Sequence, residues 1–457
     1  MKKERKIDHA DMLHGPLAGR IVLFALPLAM SSILQQLFNM ADTAVVGRFA
    51  SSQAMAAVGA NGPLINLIIS LFVGISVGVN VRISSYIGLH MEERISKAVH
   101  TGILLAILLG VFLMTVGICV SKPLLYLVNT PDDVIDLAIL YLRIYFVGIP
   151  ASLVYNFGSA ILRSRGDSER PLIALAAAGV VNVILNLIFV IGFGMGVAGV
   201  GLATVISNCL SAGLVLHFLM TEEEIYRLYL NKLSIDNRDL VYMLRIGFPA
   251  GVQGMLFSIS NTVILSSINS FGSAAVAGST ITSSYEAYSY LVINAFSQTC
   301  LTFTGQNFAA REYGRCKKIF RICFGFGFFG ALAVDLLFVA GKSFFFGVFT
   351  TDPVVIEFAL VRMFHVLIFH CLISTYEVSG SALRAMNYSM TPTVLMIFGT
   401  CILRVCWVTF ILPLNRSYAF LLNVYPVSWV VTGTLVLGTY YVLRKKIFAS
   451  SPAARVE

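Results

Sequence analysis

The chain has 457 residues, of which 57% are hydrophobic and 12% charged, with a formal charge of +9. A water-soluble domain carries about 25% charged residues, so soluble enzymes and soluble binding modules are excluded. The positive excess does not point to nucleic acid, because no aromatic-flanked basic patch lies outside the apolar segments.

Apolar runs near the 20 or so residues that cross a bilayer recur along the chain, for example Gly102–Val120 and Pro171–Val190. Twelve helices are predicted, at roughly 18–47, 53–87, 94–120, 133–163, 169–192, 197–220, 239–270, 275–308, 314–346, 353–384, 390–413 and 419–443. The runs are continuous rather than alternating, which argues against a transmembrane barrel. The chain therefore reads as an all-α polytopic membrane protein with twelve transmembrane helices. An N-terminal six-helix lobe is expected over 1–220, a cytoplasmic inter-lobe linker over 221–238, a C-terminal six-helix lobe over 239–446 and a cytoplasmic tail over 447–457. In the linker, Ile225, Leu228, Lys232 and Leu233 fall at helical spacing. Either a short amphipathic surface helix or a solvated connection fits them. The polar start, Met1–Asp11, lacks the apolar core of a cleaved signal peptide. The eight cysteines have neither CxxC nor His-paired spacing, so no disulfide framework or zinc site is expected.

The two halves repeat. Leu162, Arg163, Ser168 and Pro171 recur 221 positions later as Leu383, Arg384, Ser389 and Pro392, and Tyr155 recurs as Tyr376. Pro27 and Asn39 recur 222 positions later as Pro249 and Asn261, and Lys97 recurs 220 later as Lys317. Such a period points to duplication of a half-protein, a construction many transporters share. Loop charges orient it. Twenty-four Lys and Arg residues, among them Lys2, Arg94, Arg165, Arg238, Lys317 and Lys446, fall on one side, against Arg48, Lys122, Lys342 and Arg416 on the other. By the positive-inside rule both termini are cytoplasmic. Six spans per half then make the repeats parallel.

Polar residues inside apolar helices each need a reason. Asp42 follows Asn39 and Gln35 on one face of helix 1. This reads as a protonatable or cation-binding carboxylate in a cavity lining; the alternative is an acid that meets water near the helix end. Asn182 and Asn186, one turn apart on helix 5, would complete an oxygen-rich pocket if they lie near Asp42, or would glue helices together. Helix 8 places Thr282, Glu286, Ser289 and Ser297 on one face, with Tyr290 beside them and Asn294 further along. That face must look into a cavity or at another helix. Helix 10 carries Arg362, His370 and Glu377 on one flank, and Glu377 reads either as a proton relay or as a clamp on the helix 10–11 turn. Gln35, Glu286, Tyr290, Asn294, Asn261 and Glu377 are candidate substrate contacts. Asp42, Asn39, Asn182 and Asn186 are candidates for cation or proton coupling. Arg82, Arg143, Arg404 and Asp335 find no partner in this reading, and snorkelling is the expectation for the arginines.

The run Asn39-Met40-Ala41-Asp42-Thr43-Ala44-Val45-Val46-Gly47 resembles the Asp-Thr-x-x-x-Gly signature of the multidrug and toxic compound extrusion family. So do the turn Leu162-Arg163-Ser164-Arg165-Gly166-Asp167-Ser168 with Pro171, the segment Gly196-Val197-Ala198-Gly199 with Ala203-Thr204, and Gly305-Gln306-Asn307-Phe308. The resemblance implies two six-helix lobes forming a V around a central cavity. It also implies alternating-access antiport of organic cations or drugs against Na⁺ or H⁺, with no cofactor beyond the coupling ion. Asp42 matches the family's helix 1 acid and Asn182 a helix 5 asparagine of one branch. Asn186 stands where that branch has aspartate. Phe257 or Ser258 stands at a helix 7 position that is acidic in another branch, and Ile264 at the repeat position of Asp42.

No HExxH, GxSxG or phosphate-loop motif is present, so an enzyme is not expected. The major facilitator superfamily is disfavoured by a helix 2–3 loop that reads Gly88-Leu89-His90-Met91-Glu92-Glu93-Arg94. A lipid-linked oligosaccharide flippase of the same architecture and a non-transporting membrane receptor remain alternatives. The acids Asp42, Glu286 and Glu377 favour a cationic substrate. A monomer in the plasma (inner) membrane, with a small organic cation and the bilayer as its partners, is the expectation.

Overall fold

The computed structural model describes residues 12–127, 130–222 and 225–449, and no strand occurs among them. Its long helices are α1 (Leu17–Phe49), α2 (Ser52–Gly88), α3 (Glu92–Leu127), α4 (Ile135–Ser164), α5 (Glu169–Gly192) and α6 (Gly196–Met220). They continue as α7 (Asn237–Asn269), α8 (Ser273–Ala309), α9 (Tyr313–Ala340), α10 (Pro353–Ala385), α11 (Met390–Leu414) and α12 (Tyr418–Phe448). Eleven of them are long and apolar enough to span a membrane. The exception is α8, whose 37 residues suffice in length but whose serines, threonines and Glu286 lower its hydropathy.

The predicted helix boundaries shift at two places. Helix α3 runs past residue 120 through Pro123 to Leu127. The predicted 314–346 helix breaks at Gly341, and Lys342–Phe349 form a separate eight-residue helix. Regular α-geometry also loosens inside spans. Leu187–Gly192 at the end of α5 and Trp407–Ile411 in α11 are π-helical, 220 positions apart. Leu367–Leu372 in α10 is 3₁₀.

The repeat is legible in the turns. His90 and Arg311, 221 apart, both adopt positive φ, 53° and 63°. Around them Met91 N–H donates to Tyr86 O at 3.0 Å, and Glu312 N–H to Asn307 O at 2.8 Å. Gly166 and Asn387, again 221 apart, have φ of 105° and 72°. There Asp167 N–H reaches Leu162 O at 3.1 Å, and Tyr388 N–H reaches Leu383 O at 2.9 Å. Glycine and asparagine are the residues that tolerate this left-handed conformation.

The chain forms two compact units. The first comprises Leu26–Gly251; the second comprises Met12–Ala25 and the chain from Val252 onward. Both divisions fall inside helices, α1 and α7. In the first unit α3, α4 and α6 pack around Ile103, Leu142, Phe146, Leu153, Phe157 and Val215. Helices α2 and α7 meet there backbone to backbone, through Gly74 and Gly78 on one and Gly247 and Gly251 on the other. A Cβ on any of the four would meet main chain of the facing helix. Small residues four apart let helices approach closely, which matters in lipid because apolar burial gives little net drive there. At the same end Arg82 Nε pairs with Asp239 Oδ1 at 2.8 Å, Tyr86 OH donates to the same oxygen at 2.7 Å, and Arg82 lies 4.2 Å over the Tyr242 ring. Arg82 is therefore an ion-pair partner and does not snorkel. Arg143 donates to Ser121 Oγ at 3.2 Å.

Between α6 and α7 the described residues form no amphipathic surface helix. Leu228 is buried, and only Leu230–Lys232 form a 3₁₀ turn. Its described residues are turns and irregular backbone, pinned to the first unit. Tyr229 N–H donates to His100 Nε2 at 3.0 Å, Asp236 N–H to Thr101 Oγ1 at 3.0 Å, and Arg165 and Arg170 pair with buried Glu222.

In the second unit Tyr285, Phe346, Val355, Met363 and Leu367 form a core cluster between α8, α10 and the short helix. Asp352 Oδ1 accepts Val354 N–H at 2.9 Å, with Pro353 behind it, and so starts α10.

Candidate functional site

In the first unit α1 and α5 meet at the residues singled out above. The contact begins at Gly179, where a side chain would overlap the Phe38 ring. One turn further along α1 and two turns further along α5, Asp42 faces Asn186. Asn186 Nδ2 donates to Asp42 Oδ1 at 2.5 Å and to Asn182 Oδ1 at 3.1 Å. Asn182 Nδ2 continues to Ser207 Oγ on α6 at 3.4 Å. Two acceptors on one amide nitrogen fix its orientation, since the flipped amide would set oxygen against oxygen. Asn182 and Asn186 are buried, and Asn186 Oδ1 has no partner. The cluster therefore offers a carboxylate and a free amide oxygen, donors suited to a small hard cation. Asn186 is also the last α-helical residue before the π segment of α5, a distortion frequent at functional sites.

Sequence reasoning missed three contributors. Tyr141 and Tyr145 of α4, with rings 6.2 Å apart, lie within electrostatic reach of Asp42. Ser207 ends the amide chain. The four-residue spacing of the tyrosines on a predicted helix was the available signal. Gln35 and Asn39 lie on α1 with exposed side chains and do not join the Asp42–Asn186 cluster. The Asn39 carbonyl accepts the Thr43 hydroxyl at 2.9 Å.

In the second unit the polar face of α8 turns toward neighbouring helices. Thr282 Oγ1 donates to Ala359 O at 2.9 Å, and Ser297 Oγ bonds Ser381 Oγ at 2.7 Å and Glu377 O at 3.1 Å. Glu286 is not an open carboxylate. Arg362 Nε and Nη2 bind its two oxygens at 2.7 and 2.8 Å, a bidentate fork. Expected as a substrate contact, Glu286 is instead committed to a structural ion pair. Asn261 accepts Arg404 Nη1 at 2.8 Å, and Arg404 also reaches Ser428 Oγ at 3.3 Å and lies 4.8 Å over Tyr425. Arg404 is thus held by protein groups and does not snorkel. Tyr290 is exposed, Asn294 and Glu377 are half-buried, and Arg384 and Tyr290 are the charged and polar groups that act on the Glu377 carboxyl.

No group of three or more His, Cys, Asp or Glu side chains among the described residues is arranged to hold a metal. The Asp42 cluster can bind one monovalent charge, a proton on the carboxylate or an alkali ion between carboxylate and amide oxygens.

Comparison with known proteins bears on this site. A family model described as MatE matches residues 27–188 and again residues 249–408. Its two matches start 222 positions apart, the displacement that carries Pro27 to Pro249. The chain is 28% identical over 437 residues to the probable multidrug resistance protein YoeA of Bacillus subtilis, covering 93% of each. It is 24% identical to the probable multidrug resistance protein NorM of Thermotoga maritima, over 82% of this chain and 81% of that one. Among solved structures it resembles an outward-facing multidrug resistance MATE family transporter, with TM-score 0.86 and 20% identity over 97% of this chain and 99% of the other. A MATE in complex with MaL6 aligns with TM-score 0.89 at 20% identity, over 96% and 99% of the two chains.

Proposed function

The chain belongs to the MatE family of multidrug and toxic compound extrusion transporters, and from that premise we propose that it exports organic cations or drugs in exchange for Na⁺ or H⁺, with Asp42 as the coupling residue. The observation that carries this reading is the Asn186–Asp42 hydrogen bond at 2.5 Å. It joins two helices through a group whose charge can change.

With Asp42 anionic, the Asn186 N–H donates to it and α1 is tied to α5. A proton on Oδ1 removes that acceptor. An alkali ion at the carboxylate repels the amide hydrogens and favours rotation of Asn186, which brings its unpartnered Oδ1 to the ion. Either ion thus replaces the same helix-to-helix bond, which is why the two compete for one site. Loss of this bond on one side of the membrane and its return on the other would bias two conformations differently, as coupling requires. Gln35, exposed on α1 of the first unit, is assigned to substrate contact, and so, in the second unit, are Tyr290, Asn294 and Glu377 on α8 and α10. Loop charge supports cytoplasmic termini, and the assignment takes a plasma-membrane location and a monomer.

The test is dye efflux from sealed proteoliposomes under imposed Na⁺ or H⁺ gradients. Asp42→Asn keeps the shape and removes the charge change. It should bind dye and lose gradient-driven flux. Uphill flux by Asp42→Asn at the wild-type rate, with the same ion dependence, would remove Asp42 from the mechanism.

A further inference from the structure

The second unit buries another carboxylate that the Asp42 reading does not use. Asp335 sits near the end of α9 with 0% exposure. No hydrogen bond of ordinary geometry reaches either of its oxygens. Ser289 Oγ on α8, also 0% exposed, likewise has no bond of ordinary geometry. Ser289 Oγ and the Cys371 backbone N–H nevertheless lie close enough to act on the Asp335 carboxyl.

The charges around Asp335 do not neutralise it. Glu286, one turn before Ser289 on α8, is the charged group that acts on it, and it is negative. Arg362, the cation next to Glu286, is engaged by both Glu286 oxygens. On α10 the Cys371 thiol, which donates to Ile368 O at 3.9 Å, lies close enough to Asp335 to feel its charge. His370, one residue earlier, packs edge-on against Trp429 at 5.4 Å and responds to Glu286, Arg362 and Arg404.

The backbone is unusual at the same point. Helix α10 passes α9 as the 3₁₀ segment Leu367–Leu372, which includes Cys371. Short 3₁₀ stretches inside a long helix mark hinges or sites under functional constraint. An anionic carboxylate, buried without a cation or a full set of donors, is strongly disfavoured in a membrane interior. A single positive charge resolves this.

We propose that Asp335, with Ser289 and the 3₁₀ turn at Cys371, forms a second small-cation site, filled by a proton or by a monovalent alkali ion. It lies on α8, α9 and α10, shares no residue with the Asp42 cluster and stands whether or not Asp42 couples transport.

Infrared difference spectra of the purified full-length protein in nanodiscs test it. All variants carry Asp42→Asn, so that Asp42 contributes nothing to the carboxyl signals and its own role cannot affect the outcome. In Na⁺-free buffer at neutral pH, a protonated carboxylic acid band that disappears in Asp335→Asn assigns the proton. A carboxylate band that shifts when NaCl replaces choline chloride, and no longer does so in Asp335→Asn, assigns the alkali ion. Ser289→Ala removes the neighbouring hydroxyl and should shift whichever band is present. Spectra of Asp335→Asn that superimpose on those of the parent across pH and Na⁺ overturn the proposal. If Asp335→Asn does not fold, Ser289→Ala decides: an unshifted parent band overturns it equally.

Discussion

Arg404 Nη1 donates to Asn261 Oδ1 at 2.8 Å. Asn261 is the repeat of Asn39, and Arg404 lies on α11, the helix that repeats the Asn182-bearing α5. Where the first unit sets amides against a carboxylate, the second sets an arginine against an amide. A fixed guanidinium repels a second cation, so this place in the second unit cannot duplicate the Asp42 cluster. The duplicated halves kept their turns and exchanged the charge of their polar clusters.

Gly179 controls the approach of α1 to α5. Gly179→Val should lower transport and cost about 1–3 kcal/mol in stability, the usual range for overpacking, because the new side chain collides with Phe38. Adding Phe38→Ala should recover part of both losses. A thermal-unfolding double-mutant cycle with flux measured in parallel checks this, and strictly additive losses would mean the two residues do not meet.

Asn186→Leu should leave Asp42 Oδ1 and Asn182 Oδ1 without their donor. A cost of about 1–3 kcal/mol follows from stranding buried acceptors; low pH should restore more stability in this variant than in the wild type, while the response to Na⁺ should fall, because the Asn186 Oδ1 proposed to hold the ion is gone. Melting curves with and without NaCl at two pH values read the difference. Equal ion responses in both proteins would argue against a shared site.

The buried Glu286–Arg362 fork predicts asymmetry. Glu286→Gln or Arg362→Met alone should cost about 3–5 kcal/mol, because each strands a buried charge. The double variant should be more stable than either single one. Detergent-solubilised melting temperatures of the four proteins test this directly.

Asp236 caps α7. Its Oδ1 accepts Arg238 N–H at 3.0 Å and Asp239 N–H at 3.2 Å, and Arg94 lies 3.3 Å from Oδ2. The Asp239 N–H first, with help from Arg238, Arg94 and Lys97, holds this carboxyl below its ordinary value. A depressed carboxyl stabilises fully above its unfolded value of about 4 and loses that contribution as pH falls through the lower folded value. Amide exchange in the first turn of α7 should therefore be steady from neutral pH down to about 4, apart from the intrinsic rate, and accelerate below. Asp236→Ala should raise it throughout, and an unchanged profile would show that the cap does not hold the turn.

Much of this was legible in the sequence because it depends on local chemistry. Long apolar runs set the helices. Positions such as Gly166 and Asn387, or His90 and Arg311, set the same turns twice, since backbone bonds between residues five apart need only a local left-handed step. Asp42, Asn182 and Asn186 stood out because polar groups are costly in lipid wherever they fall. Periodicity could also say that the α8 face must meet something, though not what.

Tertiary structure decided the partners. Glu286 lies 76 positions from Arg362, and Arg82 lies 157 from Asp239; no local rule distinguishes such a pair from a snorkelling arginine or an open carboxylate. The connection between α6 and α7 carries helical spacing yet its described residues form no α-helix, because bonds to His100 and Thr101 and the Glu222 ion pairs outweigh a weak local preference. Sequence determined which residues were too polar to lie in lipid. Only packing decided which of them neutralise one another, and which, like Asp42 and Asp335, lie beside no cationic side chain among the described residues.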